Sequence, residues 1–403
     1  MPYRNLSVKL NLYRQTRGSI MNTPLPKVIL HEHIEGSVTP ETALVLAKKH
    51  NVSLPDDFLY PEGAYDKDAF PNGRYQYDET DFGAFVTAYD VVADLVRDAD
   101  DYYLIMKDYL LRNAQQGMIY CEMITSAFHL CYQEDAQGKV LLNADKYHDF
   151  MDAIERAINE VKEEYGTETR LQACGVRHLS REHLDLSADF IAKNPRKMVT
   201  GFNIAGNEMA GEFEDFIYVH ELIDNIPLPK SYHAGEIRGP ESIRDALAFG
   251  AKRIGHGIAA IKDDELIEKL IRDNITLEVA PTSNRILVTE FEQTLDNHPL
   301  RRLYEKGVRL SVNTDDAGLF GTDVGKEYHI AATVFGFSRV ELLDVTLCAL
   351  EAAFVSDDIK HDMIMSTYDV FTDQDWQDLE IHAANLPDGA LKTRLQSRVK
   401  NKP

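Results

Sequence analysis

Two histidines stand two residues apart at the end of an apolar run, in Leu30-His31-Glu32-His33-Ile34-Glu35-Gly36-Ser37. In an extended strand, positions i and i+2 project from the same face, so His31 and His33 can offer imidazole nitrogens to one metal ion. Three more segments carry comparable side chains: His233-Ala234-Gly235-Glu236, Gly255-His256-Gly257 and Asn313-Thr314-Asp315-Asp316. Histidines and acids are mostly surface residues, so each segment alone has an ordinary explanation. Four of them, each closing a β-rich run in a different unit of the chain, are hard to explain by solvation.

Three imidazoles and a carboxylate, His31, His33, His233 and Asp315, make a nitrogen and oxygen set suited to Zn²⁺ with room for a catalytic water. Fe²⁺, Co²⁺ and Mn²⁺ would also accept it. Such an ion lowers the pKa of a bound water to about 7 and gives a nucleophile for an electron-poor carbon. The Ala-Gly spacer brings Glu236 to the same cavity as His233. Kept protonated by desolvation, Glu236 is expected to donate to a substrate ring nitrogen, with His256 orienting the water and accepting its proton. Successive strand side chains diverge, so Asp315 and Asp316 are expected to divide their work, one facing the metal and one free to meet the substrate.

These residues must be positioned by a repeated scaffold. Eight short β-rich runs, each followed by a stretch long enough for a helix, fall at Val28 to His33, Met118 to Thr125, Leu171 to His178, Val199 to Ala205, Ser231 to Gly235, Arg253 to Gly257, Thr276 to Pro281 and Val308 to Thr314. The pattern predicts an α/β fold, an eight-stranded (β/α) barrel of the TIM type, in which catalytic residues gather at the carboxyl ends of the strands. Helical patterns include Pro240 to Gly250 and Asp263 to Asp273. An insertion after the first strand, Asn51 to Thr80, followed by an amphipathic Asp81 to Arg97, is expected to form a lid or, equally, an irregular surface excursion packed by its own aromatics. Further helices are expected over Ser356 to Lys402. Residues 1–20 read as an N-terminal arm, and 21–403 as a single barrel domain.

Composition narrows the partners. The 403-residue chain is 44% hydrophobic, enough for a large core, and carries a formal net charge of -23. That field repels nucleic-acid phosphates but costs a small neutral ligand little. The four cysteines, Cys121, Cys131, Cys174 and Cys348, form no C-x-x-C pair and read as reduced, buried thiols. No run is long and apolar enough for a membrane span, and no secretory h-region precedes the first motif, so a cytoplasmic protein is expected. Nothing in the sequence sets the oligomeric state.

The ordered series Pro26-Lys27-Val28, His31, His33, Gly36, His233-Ala234-Gly235-Glu236, Gly255-His256-Gly257, Pro281-Thr282-Ser283-Asn284 and Asn313-Thr314-Asp315-Asp316 resembles the adenosine deaminase family. The resemblance spans about Leu25 to Asp358. It implies one Zn²⁺ per chain held by His31, His33, His233 and Asp315, with Glu236 protonating purine N1 and His256 positioning the water. It further implies that the Gly206 N–H meets N3 and that Asp316 is the partner of N7. The implied reaction replaces the 6-amino group of an adenine-type purine by oxygen, releasing ammonia. Adenosine or 2′-deoxyadenosine is the first expected substrate, with adenine or an N6-substituted purine as the alternative.

Glu35 stands where adenosine-specific members commonly carry aspartate, near the ribose 5′-hydroxyl, and a His-Ile-Glu-Gly run is frequent in the adenine deaminase branch. Ala317 replaces a frequent proline, and Asn203 and Asn207 replace frequent aspartates. Two other readings use the same residues. Two-metal amidohydrolases share the H-x-H opening but place a modified lysine at the end of strand four, where this chain has Gly201-Phe202-Asn203-Ile204-Ala205-Gly206. A catalytically silent purine-binding relative would have little reason to keep the whole acid, base and ligand set. A cytidine-deaminase-like site needs paired cysteines that this chain lacks.

Overall fold

The computed structural model describes residues 25–291 and 294–402, so the expected N-terminal arm lies outside the described residues. Eight strands form one sheet in chain order: β1 (Lys27–Ile29), β2 (Met118–Ser126), β3 (Glu168–Val176), β4 (Val199–Ala205), β5 (Lys230–Ala234), β6 (Ala251–His256), β7 (Thr276–Val279) and β8 (Arg309–Val312). Every neighbouring pair is parallel, from Tyr120 opposite Glu168 between β2 and β3 to Val312 opposite Val279 between β8 and β7. The topology is that of the TIM-type barrel.

Several strands differ in length from the runs read in the sequence. β1 covers only three residues, and β8 stops at Val312. Beyond those ends the two segments meet directly. The His33 N–H donates to the Asp315 carbonyl at 2.7 Å, and the Asp315 N–H to the His31 carbonyl at 3.0 Å. The barrel therefore closes at the level of the candidate ligands, by bridges rather than by a continuous ladder.

The barrel interior explains why its strands are not simply apolar. Arg253 of β6, 1% exposed, pairs with both Glu122 of β2 and Glu278 of β7, and its guanidinium lies 3.6 Å from the Phe354 ring centroid. Removing one member would strand an uncompensated buried charge, at a cost of about 3–5 kcal/mol. Around this layer, helices pack apolar faces. Asp264–Arg272, close to its predicted span, buries Leu266, Ile267 and Leu270. Helix Pro240–Ala248 starts with proline at its first position, where the missing N–H costs no hydrogen bond.

Between β1 and β2 the chain runs through an irregular segment with one bridge, Leu59 to Tyr75, before helix Phe82–Ala93, whose start is capped by Asp81 accepting the Gly83 N–H at 2.8 Å. Helix Ala99–Ala114 follows and packs on Ala144–Tyr165. After β8, helix Arg339–Ala352 carries Asp344, on which Arg394 and Arg398 of helix Ala390–Val399 converge at 2.9 and 3.0 Å. No helix among the described residues is long and apolar enough to cross a membrane.

Candidate active site

The ends of β1, β5, β6 and β8 bring five of the predicted side chains to one point. Ligand atoms of His31, His233, His256 and Asp315 all lie within 4.8 Å of one another. His33 Nε2 is 3.3 Å from His233 Nε2 and 3.5 Å from Asp315 Oδ1. His31 Nε2 is buried without a hydrogen-bond partner, 3.3 Å from Asp315 Oδ1. A buried, orphaned imidazole nitrogen facing two more imidazoles and a carboxylate fits a divalent ion.

The far side of three of the rings is held. His31 Nδ1 lies 2.9 Å from Glu278 Oε2, His233 Nδ1 2.8 Å from Asn203 Oδ1, and His256 Nδ1 3.1 Å from Asn284 Nδ2. The Ser283 hydroxyl donates to Asp315 Oδ2 at 2.6 Å. Such partners fix ring orientation and tautomer. Glu278 is a residue the sequence reading missed. Its signal was an acid inside the apolar run Thr276–Val279, a position that demands a buried partner.

The electrostatics favour open nitrogen lone pairs. Burial lowers the His33 pKa to about 3 and the His256 pKa to about 4, despite the charge of Asp315. Burial, with His31 and His256 beside it, likewise holds His233 well below its ordinary value. His31 goes the other way. Burial opposes its charge, but Asp315 and Glu278 outweigh it and raise its pKa to about 10. Of these four imidazoles, His31 alone is shifted toward its charged form, beside the carboxylates where a divalent cation would supply positive charge.

Glu236 and Asp316 are both shifted toward the neutral form. Burial, then the charges of Asp315 and Glu208, push the Glu236 carboxyl well above its usual range. Its Oε2 stands 3.6 Å from His256 Nε2. Burial and the neighbouring Asp315 also raise Asp316 strongly, whereas His31 holds Asp315 low against its own burial. The divergence expected of Asp315 and Asp316 is modified by the backbone. Asp315 adopts φ +64, a left-handed conformation, and both carboxyls end up lining the same pocket. His256 is also left-handed, at φ +59, a costly backbone state that clusters at functional sites.

The pocket encloses about 800 Å³ including its mouth, with Phe82, Phe85, Val86 and Tyr89 of helix Phe82–Ala93 on one side. Gly206 lines it at φ +91, and a Cβ there would fall 2.4 Å from His178 Nδ1, so no other residue fits. Gly36 is equally constrained, since a Cβ would fall 1.8 Å from Asp316 Oδ1. That Asp316 oxygen is buried and without a partner. Glu35 lines the pocket too, its two oxygens accepting the hydroxyls of Tyr102 at 3.0 Å and Tyr89 at 3.1 Å. Neither tyrosine was singled out in the sequence, because their shared partner lies more than fifty residues away.

The adenosine deaminase family model matches residues 26–370. The chain belongs to this family. Among its relatives, the adenine deaminase of Sinorhizobium medicae is 36% identical over 349 residues, covering 86% of this chain and 100% of that protein. The adenine deaminase of Rhizobium meliloti is 35% identical over 350 residues, again covering 86% and 100%. The crystal structure of an adenine deaminase from Arthrobacter aurescens superimposes with a TM-score of 0.72 at 22% identity, covering 85% of this chain and 98% of that one. An amidohydrolase from Burkholderia ambifaria, solved with bound zinc, gives 0.70 at 21% identity, covering 88% and 94%. As a family member, the protein is a purine deaminase, a hydrolase acting on a small purine. The family is metal-dependent, and the histidine and aspartate cluster described above is where an ion could sit.

Proposed function

We propose that this protein is an adenine deaminase, converting adenine and water to the 6-oxopurine and ammonia with one Zn²⁺ held by His31, His33, His233 and Asp315. The observation that carries the reading is the placement of the buried Glu236 carboxyl 3.6 Å from the His256 imidazole, within the histidine and aspartate cluster. Sequence reasoning put adenosine first. The full-length match to adenine deaminases, together with Glu35 in place of aspartate, moves the free base ahead.

When bound, the ion lowers the pKa of a water to about 7 and so supplies the nucleophile for purine C6. The chain's own residues do the rest. Glu236 donates its proton to N1, drawing electron density from C6. His256 accepts the proton of the attacking water and passes it to the departing amine. As ammonia leaves, the remaining hydroxyl proton returns to Glu236, which is then ready for another cycle. The Gly206 N–H is assigned to N3. Neutral Asp316, with its unpartnered oxygen, is assigned to donate to N7, and Glu35 with its two tyrosines closes the end of the pocket.

Ammonia release from metal-replete protein tests this directly, with adenine, adenosine, N6-methyladenine and AMP supplied in parallel. The highest kcat/KM is expected for adenine. A higher value for adenosine would return the assignment to the nucleoside, and silence on all four would leave a purine-binding protein.

A further inference from the structure

Glu208 lies just after β4 and is 1% exposed. Its Oε1 accepts the Gly235 N–H and the Ser242 hydroxyl, each at 2.5 Å. Its Oε2 accepts the N–H groups of Glu236 at 3.1 Å, Ile237 at 2.7 Å and Arg238 at 2.9 Å. Four consecutive backbone amides therefore close around one side-chain carboxylate, as an anion-binding nest does around a bound anion. The nest follows Gly235, which has φ +67, and a Cβ there would fall 2.5 Å from the Ile243 side chain.

The nearby arginines Arg177 and Arg238 act on Glu208 through their charge but not by direct contact. Arg238 pairs with Glu212, Arg177 donates to the carbonyls of Ala210 and Gly211, and Glu208 makes no ion pair among the described residues. Burying a carboxylate is expensive, and here four backbone amides and the Ser242 hydroxyl compensate it. Stability by itself would not require a charge at this point, because loop amides near a solvent-filled mouth can be satisfied by water. What the carboxylate adds is a fixed path for residues 235–238, and Glu236 is one of them. A loop free to swing outward would take Glu236 from its 8% exposure into water, where it ionises and has no proton to give.

We infer that Glu208 is a positioning residue for the reaction, setting the loop that holds the Glu236 carboxyl against the pocket. The inference rests on the reading of Glu236 as the proton donor. Glu208 touches no substrate atom and acts through Glu236.

The test is a double-mutant cycle on the metal-loaded protein with adenine. Glu208→Gln keeps the size of the side chain but leaves two or more amides without an acceptor. It is expected to lower kcat about 10–100-fold, to change KM less than about threefold and to leave metal content unchanged. In a Glu236→Gln background the same substitution is expected to lower the residual turnover less than about twofold, because the group it positions is already lost. An equal loss in both backgrounds overturns the inference, as does a rise in KM alone. Should Glu208→Gln not fold, Glu208→Asp retains an acceptor-only carboxylate in a withdrawn position. For it, a fall in kcat with KM and metal content kept is expected, and loss of metal or unaltered kcat overturns the assignment. Failure of the underlying reading shows separately, as wild-type turnover in Glu236→Gln alone.

Discussion

His256 Nε2 and Glu236 Oε2 face each other across 3.6 Å, one at the end of β6 and the other three residues beyond His233 of β5. Burial shifts both toward their neutral forms, which leaves one able to take a proton and the other able to give one. Reactions that move two protons around a single carbon need such a pair.

Glu236→Gln is therefore expected to keep its metal and lose turnover by about 10²–10⁴-fold, the usual worth of a positioned acid. An amide has the same shape but no proton to transfer to N1. Metal analysis alongside kcat for adenine checks it, and normal turnover would remove Glu236 from the chemistry.

Glu278→Gln acts one step behind the ligands. It weakens the hold on His31 Nδ1 and also deprives Arg253 of one of its two carboxylates. Metal affinity is expected to fall about 10–100-fold, with thermal stability falling as well. Titration with a chelator reads the first, and a wild-type metal affinity would contradict the arrangement.

Glu35→Asp shortens the side chain held by Tyr89 and Tyr102 and opens the end of the pocket. The ratio of adenosine to adenine kcat/KM is expected to rise at least about tenfold, about 1.4 kcal/mol of discrimination. An unchanged ratio would assign substrate choice to helix Phe82–Ala93 instead.

Glu327 gives a stability prediction. Burial, against hydrogen bonds from Thr282 and Thr322, raises its pKa from the ordinary 4.5 to about 7. A carboxyl whose folded pKa is raised contributes fully below 4.5, and that contribution is lost as pH climbs to about 7. The loss is about 3 kcal/mol, so the melting temperature should fall between pH 4.5 and pH 7. In Glu327→Gln this part of the slope should disappear, whatever the variant's overall stability. An identical slope in both proteins would show that other groups set it.

The grouping of the candidate site was the most legible part of the sequence, because H-x-H, His-Ala-Gly-Glu and Asp-Asp put several candidate ligands into a few residues. The eight strands were legible for a similar reason: each is a short β-rich run followed by a stretch long enough for a helix. What escaped was fixed by residues far apart in the chain. Glu278 looks like any acid until Arg253 and His31 are brought to it, and Glu208 gains its meaning only from a loop some thirty residues later. The direction of Asp316 depended on one left-handed residue, Asp315, and alternation along a strand cannot foresee that.

The seam between β1 and β8 has a consequence for how the protein is made. His31 and Asp315 are joined there by main-chain bonds and also face the same ion site, so the two ends of the barrel must find each other before a full coordination set exists. A nascent chain on the ribosome carries the two histidines after β1 long before the carboxylate, which follows seven strands later. On the proposed coordination, tight capture of the ion comes late, as a clasp on a ring already bent to shape, and starving the cell of that ion is expected to leave this join as the first to spring open.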